Sequence, residues 1–290
     1  MSKIILGTAQ MGMAYGINNF LGKISLQESH EILIRAYKEG IRSLDTAQIY
    51  GDAHMIIGRF HAKYSQYKFK IVTKAPQIDF TSFDDDVHRY LSDLNVYKLD
   101  GLMFHSFENY SAFKNNGNSL ADLKNNLVNH LGVSVYTNHQ LKEVIEDEDI
   151  GLIQLPFNIF DNYSKRGELM KEAKKAGKIV HCRSCFLQGL FFMNPSNSNP
   201  VVTALKKELN QLQRISKKYD LTIAELALCY CLYQKEIDNV LIGVDNLLHL
   251  ESNIQASNIS LPEEVIYEIN EIHVENENML NPSLWNQKLY

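Results

Sequence analysis

The chain has 290 residues, 45% hydrophobic and 22% charged, the profile of a globular protein whose core needs no metal or disulfide staple. Its net charge of -5 and the scatter of its 29 basic residues leave no basic stripe for nucleic acid. No apolar run of about 20 residues marks a membrane span, and MSKIILGTAQ lacks the apolar stretch of a signal peptide, so a cytoplasmic location is expected.

Short, nearly continuous apolar runs fall at 3–8, 41–45, 69–74, 101–105, 131–134, 150–155, 179–183 and 240–243. Runs of this kind are expected for strands buried on both faces. Amphipathic segments fill the gaps. The first, 26–39, carries Ile32, Leu33, Ala36 and Tyr37 at helical spacing. Ser25 and Glu28 supply a capping box at its start, and Gly40 stands where a helix-ending glycine is expected. Further helices are expected over 84–94, 138–146, 165–176, 201–219, 223–233 and 247–256. Thr222 and Glu225 form a second capping box, and Ser260 with Glu263 is expected to open a last helix ending near residue 273. Residues 106–119 and 194–200 are taken as loops.

Eight alternations of strand and helix predict parallel βαβ units. No G-x-G-x-x-G follows the first run, which weakens an open doubly wound sheet. The expected fold is therefore α/β, a (β/α)8 TIM barrel, as one domain over 1–290. Its tail, 274–290, includes Trp285 and Tyr290 and is placed either over a substrate pocket or in a plug or subunit contact. A homo-oligomer is left open.

The four cysteines are Cys182, Cys185, Cys229 and Cys231. The first two have C-x-x-C spacing, but a tetrahedral ligand set is missing. Cys229 and Cys231 sit two apart in an expected helix and point about 200° apart. They are read as buried thiols, with no metal site.

Active sites of such barrels collect at the C-terminal strand ends. There the chain places Asp45, Lys74, His105 and Ser134, with Gln154 and Asn158 after the sixth run and Tyr50 just past the second. Asp45, Tyr50, Lys74 and His105 suit carbonyl reduction. A tyrosine can donate the proton, a lysine can lower its pKa, a carboxylate can hold the lysine, and a histidine can orient the carbonyl. Taken singly, each has an ordinary alternative: a helix cap, a solvated lysine, a core histidine, one tyrosine among 15. Their joint placement on successive strand ends makes the case.

Residues 40–58, GIRSLDTAQIYGDAHMIIG, closely resemble the D-T-A-x-x-Y-G signature of the aldo-keto reductases. FKIVTKA, LDGLMFHSFEN, LGVSVYT and IQLPFNIFD resemble that family's third to sixth strands, in the right order. The resemblance implies Tyr50 as general acid, Asp45 and Lys74 as its tuning pair, and His105 as the carbonyl-orienting residue. It implies that Ser134, Gln154 and Asn158 hold a nicotinamide carboxamide. It extends cofactor contacts to Gly7, Thr8 and Ala9, to Arg183, Ser184, Phe186 and Gly189, and to Gly243, Asn246, Glu251 and Asn253. Met11, Tyr15 and Trp285 are expected at the substrate wall.

Arg183 stands where the family usually has a tyrosine stacked on the nicotinamide; a planar guanidinium can stack too, or face the cofactor phosphates or the substrate. Gly243, Val244 and His249 replace the Lys, Ser and Arg with which many members grip a 2′-phosphate, and Asp245 adds negative charge. NADP(H) is expected from the resemblance, and NAD(H) is not excluded. RSCFLQGL is similar to small bacterial members associated with sugar or surface-polysaccharide metabolism, which implies a polar, sugar-like small-molecule carbonyl. A cofactor-binding regulatory barrel with little turnover is the alternative. A metal-dependent hydrolase or isomerase barrel is disfavoured because no H-x-H follows the first strand.

Overall fold

Eight strands pair in chain order, each parallel to the next: β1 (Ile4–Gly7), β2 (Ser43–Asp45), β3 (Lys70–Ala75), β4 (Leu99–Phe104), β5 (Val128–Ser134), β6 (Leu152–Pro156), β7 (Ile179–Arg183) and β8 (Asn239–Ile242). Pairing of β8 with β1 closes the barrel. This is the (β/α)8 fold, seen in a computed structural model that describes residues 2–79, 81–123 and 126–285.

The strands are apolar on both faces because each face meets a different core. Inside, Val72, Met103 and Leu152 pack with Ile179. Gly132 makes room for them: a Cβ there would lie 2.7 Å from the Leu152 carbonyl oxygen and 3.0 Å from Met103 Cγ. Outside, the alternate residues meet the helices in a much larger cluster. Side chains two residues apart on a strand share a face. Lys74 therefore follows Val72, Gln154 follows Leu152, and His181 and Arg183 follow Ile179 up the inside of the barrel. That geometry delivers polar groups to the mouth.

The helices lie close to expectation, with instructive exceptions. Ser25 Oγ accepts from Glu28 N–H, and Thr222 with Glu225 completes a capping box. The expected 201–219 helix is two helices, Pro200–Ala204 and Lys206–Tyr219, because the backbone of buried Leu205 leaves the helical region between them. Ser260 does not cap the last helix. That helix is Glu263–Asn270, entered through Pro262, whose fixed φ suits the start of a helix. Residues 106–119 are not merely a loop: Ser106 Oγ accepts from Asn109 N–H and starts a helix, Phe107–Asn115, that buries Tyr110 and Phe113. Phe107, Tyr110 and Phe113 recur every three residues, a helical signal that this short segment carried and the loop assignment passed over.

The tail docks beside the Tyr163–Lys175 helix. Lys165 pairs with Glu277 at 2.7 Å, Met279 and Leu280 are buried, and Trp285 Nε1 donates to the Met279 carbonyl. The rest of the tail, including Tyr290, lies outside the described residues. No helix among the described residues is long and apolar enough to cross a membrane.

The thiols come together more than the sequence suggests. Cys182 and Cys231 both donate to the Phe157 carbonyl, at 3.1 and 3.4 Å, and Cys185 joins them behind β7. Cys229 turns away to the Ala256 carbonyl. Burial pushes the Cys185 and Cys231 thiols up, away from the reactive thiolate. No group of three or more His, Cys, Asp or Glu side chains among the described residues is arranged to hold a metal.

Candidate active site

Asp45 closes β2 and is 3% exposed, and Lys74, on β3, is 2% exposed. Lys74 Nζ donates to Asp45 Oδ1, and Gln154 Nε2 donates to Asp45 Oδ2 at 2.8 Å. Both carboxylate oxygens are thus engaged from two other strands. The ordinary alternative for Asp45, a helix cap, does not apply: the Ala53–Lys63 helix starts at Asp52. Below, Thr8 N–H and Oγ1 both donate to the Asp45 carbonyl, at 3.0 and 3.1 Å.

Tyr50 stands on the turn after β2. Lys74 Nζ lies 5.6 Å from its ring centre, and the His105 ring meets it edge to face at 5.9 Å. The turn is fixed by a backbone contact that the sequence reading missed. Gly51 has φ +54, and a Cβ on Gly12 would fall 1.7 Å from the Tyr50 carbonyl oxygen. A short helical turn after β1, Ala9–Gly12, brings Gly12 there. The two glycines are the signal that could have revealed it.

Across the mouth, Ser134 ends β5 and its hydroxyl has no partner among the described residues. Gln154 keeps its carbonyl oxygen clear of the bond to Asp45. Asn158 is fully buried and braces its own turn: Oδ1 accepts from Phe160 and Asp161 N–H, and Nδ2 donates to the Ser184 carbonyl. Arg183 Cζ stacks 4.0 Å over the Tyr136 ring, a neighbour the sequence did not single out. After it the backbone is left-handed at Ser184, Leu187, Gln188 and Gly189. Gln188 ties this loop to the one after β1: its carbonyl accepts from Ile17 N–H, and its Nε2 donates to the Tyr15 hydroxyl. A Cβ on Gly189 would meet Asn18, and the Phe186 ring packs on Phe192.

Beside β8 and β1, Gly7 and Gly243 keep the chain low, and a Cβ on Gly243 would strike Gln10 at 2.7 Å. Ala9 is buried next to Thr8. Asn246 caps the Leu247–Ala256 helix through His249 N–H, and Asn253 is buried on that helix. Glu251 instead faces Arg35, 3.6 Å away, on the outer helix layer. Met11 is 1% exposed and packs in the outer core rather than along the mouth, while Trp285 sits on Met279.

The aldo/keto reductase family model matches residues 3–274, strand ends and mouth included. The chain belongs to the aldo/keto reductase family. It is an NAD(P)-dependent oxidoreductase. It is 23% identical over 300 residues to aldo-keto reductase str7 of Strobilurus tenacellus, covering 94% of this chain and 89% of that protein. It is 22% identical to the NADH-specific methylglyoxal reductase of Escherichia coli strain K12, covering 90% of this chain and 91% of that one. Its fold is similar to that of a holo-form aldo-keto reductase from Bacillus halodurans, with TM-score 0.71, 19% identity and 93% and 92% of the two chains covered. A glycerol dehydrogenase from Gluconobacter oxydans gives TM-score 0.70 at 19% identity, with 94% and 91% covered.

In this aldo/keto reductase the charges around Tyr50 act differently from the sequence expectation. Burial raises the Tyr50 pKa above its ordinary value, the Asp45 carboxylate raises it further, and Arg183 opposes them. Lys74 does not produce a net lowering, because Asp45 meets its charge at contact. His105 is pushed down to about 4 by burial and then by the Lys74 ammonium, so it is neutral at pH 7. Its Nδ1 is buried without a partner among the described residues. One step down the barrel, His181 is also pushed to about 4, by burial, and its Nδ1 too has no partner.

Proposed function

We propose that the protein reduces a small-molecule aldehyde or ketone to an alcohol, with Tyr50 as the proton donor. The observation that carries this reading is the Tyr50 hydroxyl-bearing ring set between neutral His105 and the buried Asp45–Lys74 pair.

A bound nicotinamide cofactor in its reduced form supplies the hydride that a carbonyl carbon accepts. The mouth fits such a group: among the described residues the Ser134 hydroxyl has no partner, and Gln154 uses only its Nε2, on Asp45, leaving its carbonyl oxygen free. Ser134 and Gln154 would hold the carboxamide, with Asn158 shaping the turn beneath Ser184. The first-turn N–H groups of the Leu247–Ala256 helix would receive phosphate oxygens.

Tyr50, fully protonated at neutral pH because burial disfavours its anion, holds the proton for the developing alkoxide. An alkoxide is far more basic than a tyrosinate, so transfer runs downhill. Arg183, whose charge opposes the rise in the Tyr50 pKa, then helps to stabilise the tyrosinate left behind. Neutral His105 can donate one ring N–H to the carbonyl oxygen and align it. The alcohol leaves and Tyr50 is reprotonated from solvent.

Asp245 pairs with His249 at 3.5 Å where a 2′-phosphate would be gripped. That places a negative charge against NADP(H), which we retain as the expected cofactor beside NAD(H). Tyr50→Phe tests the assignment: kcat for carbonyl reduction should fall by roughly 10²–10⁴ while cofactor affinity stays near the parent value. Full activity in the variant would remove Tyr50 from the role. Cofactor binding with no turnover of any carbonyl would favour the regulatory barrel instead.

A further inference from the structure

Two arginines lie in the upper half of the barrel, and they are treated in opposite ways. Arg166 is 2% exposed and carries its own counter-ion: Nε and Nη2 grip the two oxygens of Asp161, both at 2.7 Å. Its remaining donors reach Asn138 Oδ1 and the Tyr136 carbonyl. Arg183 is half-buried and makes no ion pair among the described residues. Its Nη2 donates to the Val135 carbonyl at 3.1 Å and its Nη1 to Ser184 Oγ at 3.3 Å, which leaves the rest of the fork uncommitted.

The uncommitted guanidinium is nonetheless held rigidly. It stacks on Tyr136, whose carbonyl is fixed by Arg166 and whose N–H is fixed by Gln140 Oε1 at 2.7 Å. A flexible surface arginine has no such bed. The side chain leaves β7, passes above β6 and ends beside the β5 loop, over the barrel mouth. Its field acts on Tyr15, Tyr50 and His105, the groups that surround the position of the reacting carbonyl. A fixed, unneutralised cation in that place is complementary to an anion. It would also oppose the positive charge that a nicotinamide ring gains on losing hydride, unless a second negative group offsets it.

We infer that Arg183 is a specificity residue that binds an anionic group, carboxylate or phosphate, carried by the carbonyl substrate. This assignment rests on the carbonyl-reduction reading and narrows its substrate class to charged aldehydes and ketones. Tyr136 acts as a positioning residue, since it sets the plane of the guanidinium.

The test is a comparison of matched substrates that differ in the anion: glyceraldehyde with glyceraldehyde 3-phosphate, and butanal with succinic semialdehyde. Each is assayed with NADPH and NADH. The parent enzyme should favour the charged member of at least one pair by roughly 10- to 100-fold in kcat/KM, the range of one charge-assisted contact. Which pair responds separates phosphate from carboxylate. Arg183→Gln should bring that ratio close to one, and Arg183→Lys should keep part of it. Inorganic phosphate or malonate should compete with the charged member in the parent enzyme, a readout independent of how the variants fold. Turnover without preference for either charged member overturns the assignment alone. Equal losses on neutral and charged members, with weaker cofactor binding, would give Arg183 to the cofactor and overturn it too. No turnover of any compound sinks the carbonyl-reduction reading, and this assignment with it.

Discussion

The two halves of the barrel mouth are built on different plans. On the β2–β4 side, Asp45, Lys74, Tyr50 and His105 are packed against one another, with the carboxylate saturated by Lys74 and Gln154. On the β5–β8 side, among the described residues the Ser134 hydroxyl has no partner and Arg183 no counter-ion, and the chain after β7 runs through left-handed conformations at Ser184, Leu187 and Gln188. In the first half the charges are paired within the protein, and the buried His105 Nδ1 lacks a partner among the described residues; the second half carries a cation without a counter-ion among them. On the proposed reading, the first half carries the proton chemistry and the opposite rim sets what enters.

That contrast is open to attack. The largest effect is expected from Lys74→Met, which leaves the Asp45 carboxylate buried without its cation. Breaking one partner of such a pair destabilises by about 3–5 kcal/mol, so the urea midpoint should drop sharply and activity should be lost. A variant as stable as the parent would mean that the proton side is not held by this pair.

Acid should strike the same region next. His105, His181 and His54 are all pushed to about 4, chiefly by burial. Between the unfolded value near 6.5 and the folded value, the unfolded chain binds more protons. Stability is therefore full above about pH 6.5 and falls as pH drops towards 4, by up to ~1.4 kcal/mol per unit for each histidine. Urea midpoints at pH 7.5, 6 and 5 would measure the slope, and His181→Gln should flatten it. A flat profile would place these imidazoles in contact with water.

The smallest effect belongs to the opposite rim. Ser184→Gly relieves a left-handed residue and keeps the carbonyl that Asn158 holds. Its stability should change by no more than about 1 kcal/mol, upward in sign. A larger fall by thermal or urea unfolding would show that the rim, like the proton side, is braced by its side chains.

The barrel was legible in the sequence because buried parallel strands are short, apolar and evenly interleaved with amphipathic helices. The clustering of Asp45, Lys74, His105 and Tyr50 was legible for a related reason: the first three each end or follow such a run, and so rise to the rim. The direction of the Tyr50 pKa was not, since it depends first on how deeply the ring is buried and then on the nearness of the Asp45 carboxylate, neither of which spacing encodes. The partnership of Arg183 with Tyr136 joins residues 47 positions apart through loop geometry. The Phe107–Asn115 helix was hidden by its shortness, since Phe107, Tyr110 and Phe113 do recur every three residues, and the break at Leu205 by a periodicity that runs on through it.

The approach of Gly12 to the Tyr50 carbonyl has a consequence for anyone wishing to retarget the enzyme. Loops at the mouth of a barrel are commonly regarded as interchangeable parts. Here the first loop is not a separate part, because its backbone is the mould against which the Tyr50 turn is cast. A transplanted β1 loop that lacks a glycine at this position would displace Tyr50 along with the rest of the first loop. The loop after β7 is tied to the same unit, since the Gln188 carbonyl accepts from Ile17 N–H and its Nε2 donates to Tyr15.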